Sequence, residues 1–126
     1  MDPLFLTLDE VLSLQEDQVL RYGGSGGVRD LGLLQSAMGT VMATFDGAFL
    51  HQSLFEMAAA YLFSIGSNRP FIDGSKRTAV AASLTFLEMN DVEIDARESD
   101  FYHLVMGVAE GKVTKSAVAV FFEKHS

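Results

Sequence analysis

A chain of 126 residues with 48% hydrophobic residues and no low-complexity tract has the make-up of one compact domain, long enough to bury roughly two-thirds of the surface its unfolded form exposes. Nine Lys/Arg against seventeen Asp/Glu give a formal charge of −8, which repels a nucleic-acid backbone and excludes a general DNA or RNA binder. The chain has no cysteine, so a disulfide framework is excluded and a reducing compartment is compatible.

The N-terminal stretch M-D-P-L-F-L-T-L-D-E lacks the basic start and long apolar core of a secretory signal. Thr7-Leu8-Asp9-Glu10 reads as a capping box with Leu6 and Val11 as its hydrophobic staple, predicting a helix to about Tyr22. Gly23 to Gly27 ends it; these glycines supply positive-φ positions for a turn, and their plain reading is a flexible connector. Asp30 is placed to cap a second helix reaching about Ala43. The Asp-Gly pair within Thr44 to Gln52 is a hairpin signal between aromatic residues. Ser53 to Ile65 and Arg77 to Leu87 are apolar on nearly all sides and rich in small residues, as expected of two helices at the centre of a bundle. The longest apolar run, Met57 to Phe63, is far shorter than the ~20 residues a membrane helix needs. A turn at Asn90-Asp91, a short extended Val92 to Asp95 and helices over Glu98 to Glu110 and about Thr114 to Lys124 complete the reading, with Gly111 as the stop between the last two. The expected fold is all-α: one domain over residues 1–126, about six helices around a buried pair, with a short flap before that pair.

The stretch with most chemistry is Arg69 to Arg77, R-P-F-I-D-G-S-K-R, standing directly before the strongly helical T-A-V-A-A-S-L-T-F-L-E-M. Free backbone N–H groups, the positive end of a helix and two cations around one point are how proteins hold an anion. Asp73 has two readings on the local sequence: an N-cap for the helix, or a hard carboxylate for a divalent cation. Lys76 and Arg77 oppose the helix dipole in a first turn, a conflict that a bound anion resolves. Pro70 is expected to restrict Arg69 to extended conformations and stiffen the loop, and Phe71 to pack inward as its anchor.

The same stretch resembles the H-P-F-x-D-G-N-K-R signature of the Fic/Doc family, in its death-on-curing (Doc-like) branch. Pro70, Phe71, Asp73, Gly74, Lys76 and Arg77 match; Arg69 stands in place of His and Ser75 in place of Asn. Arg21 to Ala37, R-Y-G-G-S-G-G-V-R-D-L-G-L-L-Q-S-A, is similar to the family's Y-G-G…D-x-G-L-L-x-S-A pattern, and Ala109 to Ser116 to its C-terminal pattern. Three matched segments in family order are far more specific than one short motif.

The resemblance implies a cytoplasmic toxin of a toxin–antitoxin pair that uses ATP and Mg²⁺ to modify a Ser/Thr hydroxyl of a target protein, a translation factor in that branch. It implies Asp73 as the Mg²⁺ ligand, Gly74, Ser75, Lys76 and Arg77 as the phosphate cradle, and position 69 as the general base. It implies an antitoxin whose disordered segment folds over the site, and a flap that docks the target's backbone. Lys76, and Val80 where the adenylylating branch has a second Arg, point to transfer of the terminal phosphate. The intramolecular inhibitory helix of some Fic proteins has no match, so inhibition is expected from another chain.

Arg69 changes the expected chemistry. A guanidinium stays protonated at physiological pH and cannot take a proton from a hydroxyl, so general-base catalysis should be absent. Ser75 is expected to weaken the cradle by removing an amide donor. Of the histidines, His51 falls at the end of the flap, within reach of the site if the flap folds over it; His103 and His125 have no metal-ligand spacing. Two rival readings stand beside the impaired toxin: a non-catalytic module that binds nucleotide or an antitoxin, and a plain helical interaction domain.

Overall fold

The computed structural model describes residues 2–126, which form six α-helices and one small hairpin. Helix α1, Leu8–Tyr22, starts on the expected capping box: the Thr7 hydroxyl accepts from Glu10 N at 3.2 Å, and the Glu10 carboxylate accepts from Thr7 N at 2.8 Å. Leu6 and Val11 are both buried beside it. Helix α2, Leu31–Met42, is capped by Asp30, whose carboxylate accepts from Leu33 N. Strands β1, Thr44–Phe45, and β2, Ala48–Phe49, pair antiparallel with Phe45 opposite Ala48. Asp46 and Gly47 join them with φ of 53° and 82°, the two positive values of a type I′ turn.

Helix α3, Leu54–Asn68, and helix α4, Ser75–Met89, are the antiparallel central pair. Every residue from Met57 to Leu62 is buried, because α2, α4, α5 and α6 all pack on α3. Ala58, Ala59, Ala60, Ala79 and Ala82 are fully buried small residues that allow close helix approach. Helices α5, Glu98–Ala109, and α6, Lys115–Lys124, close the bundle, with Thr114 capping α6. None of the described helices is long and apolar enough to cross a membrane.

Val92 to Asp95 joins α4 to α5 without forming a helix or a strand, and the Asp95 N–H donates to the His125 carbonyl at 2.8 Å. Helix α4 begins at Ser75, with Lys76 and Arg77 in its first turn as expected, because Gly74 turns the chain directly into it.

The directions of the helices place the site. The α1 C-terminus, the α2 N-terminus, the α3 C-terminus and the α4 N-terminus meet at one end, where Arg29 N donates to Pro70 O and Ile72 N to Gly27 O. The other end is closed by Phe5 stacked on Phe86 and tilted against Phe49, and by Asn90, which exchanges two hydrogen bonds with Leu4. A groove of about 540 Å³ lies at that end, lined in part by Leu4, Phe49 and Met89. The hairpin therefore precedes the central pair as expected, yet it sits across the length of a 15-residue helix from the Arg69–Arg77 loop, about 20 Å at 1.5 Å per residue.

Candidate functional site: an anion cradle at the α3–α4 loop

The loop opens at Arg69, which caps α3 with φ 48° and ψ 60°. Pro70 does keep residue 69 out of the right-handed helical region, but the extended backbone expected there is not adopted; the residue is left-handed. The reason is tertiary. The Arg29 guanidinium holds the end of α3 with Nε and Nη2 on the Arg69 carbonyl at 2.9 and 2.7 Å, and with Nη2 on the Asn68 carbonyl at 2.9 Å. These carbonyls lie in the last turn of the helix, where a cation is favoured. A non-glycine residue in this conformation costs about 1–2 kcal/mol.

Beyond Arg69 the loop runs antiparallel to the segment between α1 and α2. Pro70 O accepts from Arg29 N at 2.8 Å and Asp30 N at 3.0 Å, and Val28 bridges Phe71. Phe71 is only 2% exposed, the inward anchor expected. Its N–H donates to the Ser75 hydroxyl at 3.2 Å, and Ser75 is 8% exposed. The Ser75 hydroxyl is thus turned into the loop as a brace, so of this residue it is the backbone N–H that belongs to the cradle.

Gly74 enters α4 with φ 78° and supplies no side-chain cap. The N-cap reading of Asp73 therefore fails. Its carboxylate turns away from the helix and accepts from Ser25 N at 2.8 Å, while its carbonyl accepts from Gln15 Nε2 at 3.1 Å. Gly24 is what permits this approach: with φ 107°, an added Cβ would stand 2.9 Å from the Asp73 Cβ. Among the described residues, the N–H groups of Ser75, Lys76 and Arg77 have no protein acceptor, and the buried Thr78 hydroxyl just behind them is unpartnered. Arg77 lies over the Tyr22 ring, 4.2 Å from its centroid. Arg21, Arg29, Arg69, Lys76 and Arg77, more than half of the nine cations in a chain of charge −8, belong to the segments that meet at this end.

This is a fixed loop that delivers three free N–H groups, a helix N-terminus and cations to one point beside a carboxylate. Residues 5–87 match the Fic/DOC family. The chain belongs to this family. It is 43% identical to the Toxin Doc of Mycolicibacterium smegmatis over 77 residues, 61% of this chain and 59% of that protein. It is 34% identical to the Protein kinase doc of Escherichia phage P1 over 112 residues, 88% of this chain and 86% of that one. The match to the mycobacterial relative thus spans about three-fifths of that protein's length.

In this Fic/DOC domain the Asp73 carboxylate suits a hard divalent cation. One oxygen is committed to Ser25 N, which fixes the direction in which the other is offered. No group of three or more His, Cys, Asp or Glu side chains stands together among the described residues, so such a cation would draw most of its ligands from phosphate and water, as Mg²⁺ does.

His51, expected to come within reach if the flap folds over the site, lies elsewhere. His51 is buried at the hairpin end against α6, where its Nε2 accepts from Lys115 Nζ at 3.0 Å. It does not approach the loop. Burial, reinforced by the Lys115 charge and opposed by Glu56, holds the His51 pKa below its ordinary value. Unfolding then takes up a proton, so the stability this contact gives is complete above the ordinary imidazole value of about 6.5 and is lost as pH falls below it. Thermal denaturation at pH 7.5 and 5.5 should show a smaller acid loss for His51→Gln than for the parent chain. Equal losses would show that the titration of His51 does not couple to folding.

Four residues of the site escape a reading of the loop alone: Gln15, Tyr22, Ser25 and Arg29. Gln15 carried a signal, being a polar residue four positions after Val11 on the core-facing side of α1, where it is now 2% exposed. Ser25 carried none, because only its backbone N–H is used.

Proposed function

We propose that this Fic/DOC chain is a Doc-like toxin relative whose loop takes the phosphates of ATP·Mg²⁺, and that as it stands it is severely impaired in transferring phosphate to a protein hydroxyl. The observation that supports this most is the Gly74-led start of α4, with three N–H groups free of protein acceptors beside Lys76, Arg77 and the oriented Asp73 carboxylate. The N–H groups and cations would receive phosphate oxygens, and Asp73 would hold Mg²⁺. Bound there, Mg²⁺ would neutralise charge developing on the phosphates during transfer. The acceptor hydroxyl needs a base, and position 69 offers a guanidinium instead.

Arg69 also supports a second reading. Its side chain is exposed and has no hydrogen-bond partner in the described structure, which leaves its charge free to hold a phosphate as part of a nucleotide-binding module. On either reading the expected regulatory partner is an antitoxin segment that folds over this end of the bundle.

Calorimetric titration with ATP, with and without Mg²⁺, tests the cradle. Binding should require Mg²⁺ and weaken about tenfold or more in Lys76→Ala, the loss of a charge-assisted phosphate contact. Asp73→Ala should abolish the Mg²⁺ dependence. Identical titrations for the parent chain and both variants would leave only the helical interaction domain.

A further inference from the structure

We propose that Arg29 is a positioning residue of the site: it fixes the backbone at residue 69 and thereby the direction in which the side chain at 69 faces the cradle. This rests on the nucleotide-site reading above. The last carbonyls of a helix need donors, and a helix that ends on a left-handed residue usually places glycine there. Helix α3 has Arg69 followed by Pro70, neither of which favours the observed φ of 48°. What the local sequence withholds, Arg29 supplies from 40 residues away along the chain.

The grip is two-sided. The guanidinium fork closes on the carbonyls of Asn68 and Arg69, while the Arg29 N–H holds the next carbonyl, that of Pro70. Three successive carbonyls are therefore bound by one residue. Rotation at residue 69 would carry its carbonyl away from Nε and Nη2, so its φ and ψ are tied to Arg29. Those two angles set where its Cβ points. Arg29 itself has no contact with the free N–H groups of α4; it acts on the site through residue 69 alone. Lysine does not substitute, because a single ammonium lacks the planar pair of donors that meets the Arg69 carbonyl. Since Arg29 is exposed, its bonds compete with water and its effect should be local.

Arg29→Ala and Arg29→Lys are compared with the parent chain by NMR and thermal denaturation, and again in the Arg69→His, Ser75→Asn background by kinetics. A positive φ gives a strong intraresidue HN–Hα NOE. We expect that cross-peak at residue 69 to weaken in Arg29→Ala and Arg29→Lys while the thermal midpoint changes little. In Arg29→Ala with Arg69→Gly, the left-handed conformation should persist, since glycine adopts it unaided. In the Arg69→His, Ser75→Asn background, Arg29→Ala should lower kcat for phosphate transfer by about 10²-fold with the KM for ATP unchanged, the mark of misplacement of a reacting group. A full cross-peak at residue 69 in Arg29→Ala, or unaltered kcat after it weakens, would overturn the assignment. Should the background variant transfer no phosphate, the functional reading fails and the NMR result alone decides whether Arg29 fixes residue 69.

Discussion

Arg69→His combined with Ser75→Asn is expected to raise phosphate transfer from ATP to protein hydroxyls by about 10²–10⁴-fold over the chain as it stands, the usual worth of a general base. The scaffold around position 69 suits the change. Histidine is several times commoner than most residues at positive φ, and Arg29 holds that backbone through carbonyls that any residue supplies. Ser75→Asn contributes the smaller part, because the Ser75 hydroxyl braces Phe71 N from a buried position and the longer amide has to keep that bond. Arg69→His alone should therefore recover most of the gain. The measurement is label transfer to bacterial lysate proteins from γ- and α-labelled ATP. Label from the γ-phosphate in the double variant and none with the parent identifies a phosphotransferase disabled at positions 69 and 75, and label with Arg69→His alone assigns the lesion to Arg69. Label from the α-phosphate would instead make it a nucleotidyltransferase, and no label from either would remove the transferase reading and leave the binding module.

Phe71→Ala should destabilise the domain by about 3–5 kcal/mol, the cost of emptying a buried aromatic site. That is a large part of the 5–15 kcal/mol typical of a whole domain. Phe71 is the point where the loop is fastened to the core: its ring is buried, its backbone bridges Val28 and its N–H rests on Ser75. Urea denaturation should show the midpoint fall sharply for Phe71→Ala and only slightly for Phe71→Leu, which keeps most of the volume. ATP binding should be lost in Phe71→Ala even in the absence of urea, since the N–H groups of α4 depend on the same fastening. A variant that keeps its midpoint would show that the loop is held chiefly by Arg29 and the segment between α1 and α2.

The helices and their starts were legible because their signals are local: Thr7 with Glu10, and Asp30 before α2, each act within one turn. The family was legible because Pro70 to Arg77 and Arg21 to Ala37 keep their order and spacing. The backbone of the loop was not. At residue 69 the local rule for a residue before proline predicts extended chain, and a guanidinium 40 residues earlier overrides it. Asp73 read equally well as cap or metal ligand, and its actual partner, the Ser25 N–H, has no side chain to announce it. The glycine run looked like a connector because the close approach of Gly24 to Asp73 exists only after folding. The separation between hairpin and loop was present in the expected length of α3, since elements joined by a straight helix cannot lie at the same end of it.

The gathering of five cations at one end gives the molecule a polarity that its total charge conceals. Acidic residues mark the opposite end, with Asp2 and Asp91 lining the groove there and Asp46 on the hairpin turn. A small polyanion approaching from solution is repelled by the protein as a whole, yet inside the screening distance of about 8 Å at physiological ionic strength it meets an end where these five cations outnumber the carboxylates of Asp17, Asp30 and Asp73. Encounters are thereby funnelled into one orientation, and added salt should slow association more than it hastens release. An acidic protein would be steered to the same end, and a basic one toward the hairpin, so a single bundle presents opposite faces to visitors of opposite charge.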